Sequence, residues 1–197
     1  MRWFIGLMVA VVWAAPAGAQ SDPRVLVEET TDRVLALLEE HGAEIVGDPV
    51  AMYEVLGPVV IPHIDFNHIG ARVLGPFWRD ADAETRERFV VEFRRSLLRT
   101  YGTALEDYRG FDAQVLGARR RDGEVQVGMD IRRGEVNARV IYVLHQTDDG
   151  WKLIDLIAEG VSLVHNYRED FRARLRDRSL EEIIHDMAQR NREIGFQ

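Results

Sequence analysis

The stretch from Trp151 to Phe171 reads WKLIDLIAEGVSLVHNYREDF, and its reading decides the fold. Its first part is apolar and β-prone and comes after the turn signal Asp148-Asp149-Gly150. Gly160 breaks that strand, Ser162 is placed to cap the next element, and Leu163 to Phe171 takes a helical period. A strand therefore passes into a helix through Gly160, Val161 and Ser162 alone. So tight a corner sets one helix against one edge of a sheet, and the rest of the chain has to pack around that angle.

Upstream of the corner, from Phe111 onward, the apolar period is two. Segments 112–119, 124–132, 136–146 and 151–159 are separated by Arg121-Asp122-Gly123, Arg133-Gly134-Glu135 and Asp148-Asp149-Gly150. Short turns between consecutive strands imply a four-stranded antiparallel meander. Val125, Val127, Met129 and Ile131 alternate cleanly, as expected of a strand with one wet face. The runs Val140–Leu144 and Leu153–Ile157 are apolar on both faces except at Asp155, as central strands are, or strands with helices on one side and other apolar material on the other.

The residues before Phe111 read as helices. Asp22-Pro23 starts one that carries Val27, Val34, Leu37 and Leu38 and ends near His41-Gly42. Asp48-Pro49 starts a second with Met52, Val55, Leu56 and Val59 on one face, broken into pieces by Pro58 and Pro62. Asp65 caps a third, with Phe66, Ile69, Val73 and Leu74 on one side and Gly75-Pro76 as its stop. Asp82 opens the longest, reaching Tyr108, in which Phe89, Phe93, Leu97, Tyr101 and Leu105 recur every four residues. After the corner, Val164, Tyr167, Phe171 and Leu175 mark one helix. The capping-box pattern Ser179-Leu180-Glu181-Glu182 starts the last, with Leu180, Ile183, Ile184 and Met187 inward. Helices, a meander, then helices make an α+β domain, and no repeat or linker divides residues 20–197.

Residues 1–19 stand apart from that domain. Arg2, an apolar run from Trp3 to Ala15, and the small residues Ala17-Gly18-Ala19 form a cleavable secretory signal pattern. The run falls short of the roughly 20 apolar residues that a membrane-spanning helix needs. Loss of Arg2 with the signal takes the formal charge from −8 to −9. An acidic exported chain is a poor nucleic-acid binder and a poor adherent to anionic headgroups. It has no cysteine, which excludes disulfides, thiol chemistry and a lipoprotein anchor.

No nucleophile elbow, phosphate loop, zinc-protease helix or dinucleotide motif occurs in its required context. His63 and His68 flank Asp65, but their spacing reads as surface or capping residues near a helix start, and no metal site is expected. Asp155 lies in an apolar strand and shares its strand face with Leu153 and Ile157, with Glu159 at the strand's end. A buried carboxylate there either braces the corner or acts as a general base. The apolar stripes, with the amphipathic rings of Tyr101, Tyr108, Tyr142 and Tyr167, are together numerous enough to enclose an apolar cavity.

Three blocks then carry a resemblance. The first is Asp65-Phe66 with Arg72-Val73-Leu74-Gly75 and Trp78-Arg79. The second runs from Phe89 through Phe93-Arg94, Leu97-Leu98, Thr100-Tyr101 and Leu105 to Tyr108. The third is Trp151-Lys152-Leu153-Ile154-Asp155 with Glu159-Gly160-Val161-Ser162-Leu163, Tyr167-Arg168 and Phe171. In this order they resemble the MlaC-type periplasmic phospholipid-binding proteins, also called toluene-tolerance auxiliary proteins. The resemblance implies an NTF2-like cone whose four-stranded sheet and helices enclose an apolar cavity for acyl chains. It also implies a carrier, monomeric and without cofactor, that serves an inner-membrane ABC transporter complex and an outer-membrane lipoprotein complex and so maintains outer-membrane lipid asymmetry.

The stripes supply the expected lining. From the helices before the sheet come Val55, Val59, Phe66, Ile69, Val73, Leu74, Phe93, Leu97, Tyr101, Leu105 and Tyr108. From the strands come Val127, Val140, Tyr142, Leu144 and Leu156, and from the corner and the helix after it Val161, Tyr167 and Phe171. Asp82, where the family usually has threonine, and Pro76-Phe77 before Trp78 are the departures. The rival expectation is a cone-fold enzyme acting on an apolar substrate with Asp155 as its base. The blander one is an envelope interaction module with a filled core.

Overall fold

The computed structural model describes residues 22–45, 47–106 and 110–197. The signal pattern over 1–19 and Tyr108 lie outside the described residues. Helix α1 (Pro23–Ile45) is followed by α2 (Pro49–Val60), a 3₁₀ turn (Ile61–His63), α3 (Phe66–Leu74), α4 (Pro76–Asp80) and α5 (Ala83–Glu106). The strands are β1 (Asp112–Arg121), β2 (Glu124–Arg133), β3 (Val136–Thr147), β4 (Gly150–Ala158) and β5 (Val161–Ser162). Helices α6 (Leu163–Arg174) and α7 (Leu180–Glu193) complete the chain. No helix among the described residues is long and apolar enough to cross a membrane.

The helix starts obey the side chains. Asp48 accepts from the amides of Val50 and Ala51, Asp65 from that of His68, and Ser162 from that of His165. Ser179 and Glu182 make a reciprocal capping box. Two helix ends differ from expectation. Helix α1 continues past Gly42 to Ile45 because Ile45 is buried against Leu38, Met52 and Leu56, and that burial outweighs the cost of a glycine in the last turn. Pro58 does not break α2, since it sits on the exposed face, where the carbonyl that it leaves unbonded has access to water.

The sheet is an antiparallel meander in the order β1-β2-β3-β4-β5. It has five strands where four were expected. Glu159 and Gly160, both at positive φ (49° and 80°), form a two-residue hairpin loop that lets Val161 and Ser162 pair back on Ala158 and Ile157. Two bulges interrupt the register. Leu116 is the extra residue in β1, beside Gly117, and Ile154 is the extra residue in β4. The second reverses the expected facing of Leu153. It pairs with Leu144, on the face opposite to Asp155, while Ile157 stays on the Asp155 side.

Among the described residues, buried side chains form three clusters. The helical one joins α3, α5, α6 and α7 around Phe89, Phe93 and Phe171. The sheet one joins Val125, Val127, Met129, Leu144 and Trp151 to Val27 of α1. The third lies between α1 and α2. Helix α5 packs chiefly on α2, α3 and α7, whereas the sheet is contacted by α1, α3 and α6.

Gly70 marks the tightest approach in the helical layer. A Cβ there would lie 2.7 Å from the Trp78 ring, which is held by Phe89 at 6.4 Å and by Arg86 over its face. Gly70→Ala should therefore destabilise the fold by about 1–3 kcal/mol in urea denaturation, although alanine is the better helix former. An unchanged or raised midpoint would mean that the Trp78 ring yields freely.

Candidate functional site

The corner is built around Asp155. Its side chain is buried, one oxygen accepts from the amides of Leu156 (2.8 Å) and Val164 (3.1 Å), and the other from the Ser162 hydroxyl (2.6 Å). Ser162 in turn accepts from the His165 amide at 3.0 Å. The carboxylate thus reaches two of the otherwise unbonded donors at the start of α6, directly and through the hydroxyl, where the helix dipole favours a negative charge. Glu159 fixes the preceding loop: its carboxylate accepts from the Arg139 amide (2.9 Å), and its own amide donates to the Arg139 carbonyl. Both acids act as braces of the corner. Arg139 also holds Asp130, whose side chain is 2% exposed, together with Arg132. The hydrogen bond from Arg139, then that from Arg132, keeps the Asp130 carboxyl below the usual aspartate range.

The expected lining residues among those described are spread over the buried clusters and their borders. Ile69, Val73, Leu74, Phe93 and Phe171 are buried in the helical cluster, with Leu97 and Tyr167 half-buried against it, and Phe66 is also buried. Val127 and Leu144 are buried in the sheet cluster, with Tyr142 half-buried beside them. Leu156 is half-buried opposite Tyr142, and Val140 is buried next to it on the same face. Val55 and Val59 border the α1–α2 cluster. Tyr101 is 37% exposed and stands 6.5 Å from the Tyr167 ring, whose phenol is pushed above the usual range, first by burial and then by its hydrogen bond with Tyr101. Val161 is 49% exposed at the hairpin. Tyr108 and the side chain of Leu105 lie outside the described residues.

Two clefts open elsewhere. One of about 370 Å³ is lined by Asp22, Pro23, Ala118, Arg119, Arg120, Val125 and Trp151. The Trp151 indole N–H in it is buried without a partner, and Arg120 lies over the ring at 5.6 Å. The other, about 300 Å³, runs along the outer sheet face past Leu116, Gly128 and Ile141. Neither holds any of the expected lining residues. Gly117, a glycine inside a strand pattern, is the sequence signal that could have located the second, since it marks the bulge that turns Leu116 outward.

At the start of α3, Asp65 is joined not by His63 but by His145 of β3. The carboxylate oxygen that does not cap α3 meets His145 Nε2 at 2.9 Å, and the His68 and His145 rings stand 4.6 Å apart. Burial first, and His145 second, lower the basicity of His68; for His63 the causes are burial and Lys152. Among the described residues this is a cluster with one ligand atom from each of Asp65, His68 and His145 within 4.8 Å of the others.

The known proteins that the chain is similar to agree with this architecture. A family model described as MlaC protein matches residues 28–189. An intermembrane phospholipid transport system binding protein, MlaC, of Haemophilus influenzae is 21% identical over 95% of this chain and 92% of its own. The toluene tolerance protein ttg2D of Pseudomonas putida is 29% identical over 78% of this chain and 73% of its own. A phospholipid-binding protein of Ralstonia solanacearum, solved in complex with a phospholipid, superposes with a TM-score of 0.81 at 22% identity. That match covers 89% of this chain and all of the other, and it establishes the fold.

The brace gives two expectations. Asp155→Ala strands the Ser162 hydroxyl and the Val164 amide, and should cost about 2–4 kcal/mol in urea denaturation, with Asp155→Asn milder. A loss below about 0.5 kcal/mol would show that the corner holds without the carboxylate. The depressed Asp130 carboxyl adds stability that is complete above its unfolded value of 3.8 and is lost as pH falls through its lower folded value. The stability advantage of the native chain over Asp130→Asn should thus be flat near neutrality and shrink below about pH 4 in pH-dependent denaturation. An advantage independent of pH down to about 2 would refute that.

Proposed function

The chain belongs to the MlaC protein family, and from that premise we propose that it is a soluble periplasmic phospholipid carrier. It is exported by a signal cleaved after Ala19 and works as a monomer. It holds acyl chains between its helical layer and its sheet, and moves lipid between an inner-membrane ABC transporter complex and an outer-membrane lipoprotein complex.

The observation that carries this reading is the division of the core. A domain of this size ordinarily builds one contiguous apolar core with small satellites. Among the described residues the helical and sheet clusters are separate, and half-buried apolar side chains pack at the borders of the clusters: Leu97 on α5 and Tyr167 on α6 against the helical one, Tyr142 against the sheet one with Leu156 opposite it, and Val55 and Val59 on α2 against the α1–α2 one. Chains inserted along such a seam would gain about 0.8 kcal/mol per buried methylene without any polar contact. Binding directed at the tails leaves headgroup selectivity weak. The mature charge of −9 keeps the loaded carrier off anionic membranes, so transfer falls to docked protein partners. The enzyme reading is less favoured, because both oxygens of Asp155 are engaged by the corner.

Native mass spectrometry of protein purified from periplasm should show phospholipid bound to the chain. Leu97→Glu and Tyr142→Asp should each lose most of that lipid at unchanged far-UV circular dichroism. A bare native chain that takes up no added phospholipid would sink the proposal, and full loading in both folded variants would remove those residues from the site.

A further inference from the structure

We propose that Asp65, His68 and His145 form a site for one divalent transition-metal ion of the zinc type, joining the start of α3 to strand β3. Two imidazoles and one carboxylate are a donor set that suits such ions, and three protein ligands leave a fourth position for water. A tetrahedral ion with bonds of about 2.0 Å holds its ligand atoms about 3.3 Å apart. The Asp65 oxygen and His145 Nε2 are already 2.9 Å apart, and the ligand atoms of all three residues lie within 4.8 Å of one another. Binding would need the His68 ring to move closer by at most about 1.5 Å. The ion would take the place of the hydrogen that Asp65 and His145 now share.

The backbone holds these groups in place from three directions. The Asp65 amide donates to the Leu153 carbonyl (3.0 Å), and Ile64 makes a parallel bridge to Leu153, so the start of α3 is tied to β4. The other Asp65 oxygen is fixed by the His68 amide at 2.8 Å, which also fixes where His68 leaves the helix. His145 is fixed by its pairing with Lys152, whose ammonium is tied to the Pro62 carbonyl at 2.7 Å. All three residues are half-buried, with side-chain exposures of 23% for His145 and 24% for Asp65, so an ion can reach them and still be partly sheltered. A helix N-terminus disfavours a cation, and the Asp65 charge offsets this. A capping carboxylate needs only one oxygen, and it meets its need here through the His68 amide. The approach of His145, 80 residues away, to its second oxygen, with the His68 ring 4.6 Å from the His145 ring, is what capping leaves unexplained.

The test uses the mature chain without a polyhistidine tag and Zn(II) alone, titrated in competition with a chromophoric chelator. One ion should bind more tightly than about 10 μM, and it should raise the melting temperature. Magnesium and calcium, which prefer oxygen donors, should do neither. His68→Gln and His145→Gln should each weaken Zn(II) binding by at least about 100-fold, since even outer-shell partners of a metal ligand are worth about 10–100-fold. His68→Gln leaves the Asp65–His145 pair and the backbone cap in place, so it remains informative if His145→Gln loosens the fold. Absence of stoichiometric binding, or binding of unchanged strength in His68→Gln, overturns the site. In the second case the ion sits elsewhere, for instance on His41 and Glu44.

Discussion

The fold depends on a carboxylate placed where a strand becomes a helix. Asp155 is buried, and it is satisfied by a hydroxyl and two amides that all belong to the corner that it closes. A buried charge of this kind is costly unless its partners are already in position. The corner can therefore adopt few angles, and α6 starts where Ser162 and Val164 can serve Asp155. Phe171 and Tyr167 then point into the helical cluster, where Phe93 meets them at 6.0 and 5.1 Å in edge-to-face contacts. One polar brace on the sheet thus sets the aromatic packing of the layer beyond it.

That arrangement divides the apolar surface. The helical cluster is an aromatic lattice in which Phe89 stacks on Phe93 and meets Phe171 edge-on, and each such pair adds about 0.5–1.5 kcal/mol beyond burial. The sheet cluster is closed mainly by α1. Each layer has its own cluster of buried side chains, and the Asp155 brace ties the two. The proposed carrier function, in which acyl chains enter between the layers, would be served by this division. A fully merged core would lose its packing at each opening, whereas a seam bordered by half-buried side chains loses far less.

Elements proved more legible in the sequence than the site. Caps at Asp48, Asp65, Ser162 and Ser179 could be read from residue type alone, because each meets a demand that any helix start makes. The meander was equally plain from its glycine turns. What could not be read depended on tertiary partners: Ile45 prolonging α1, Pro58 tolerated on a wet face, and His145 arriving 80 residues from Asp65. Depth of burial was least legible of all. A buried and a half-buried residue carry equally apolar letters, and Phe93 and Leu97, one helical turn apart, fall on opposite sides of that distinction.

The bulge at Ile154 shows how far one irregularity reaches. Without it, Leu153 would share the face of Asp155, Lys152 would turn toward Leu144 and Val125, and Trp151 would turn away from them. An ammonium in that cluster would have no carboxylate to meet among Val125, Val127, Met129 and Leu144. With the extra residue, Trp151 joins the cluster at 4% exposure, Lys152 reaches the Pro62 carbonyl, and His145 on the same face meets Asp65. No glycine announces this bulge, unlike that at Gly117. The residue that occupies it is wholly buried, so burial of Ile154 rather than backbone freedom holds the strand out of register. The tryptophan on one face of the sheet and the lysine on the other are therefore consequences of a single buried isoleucine.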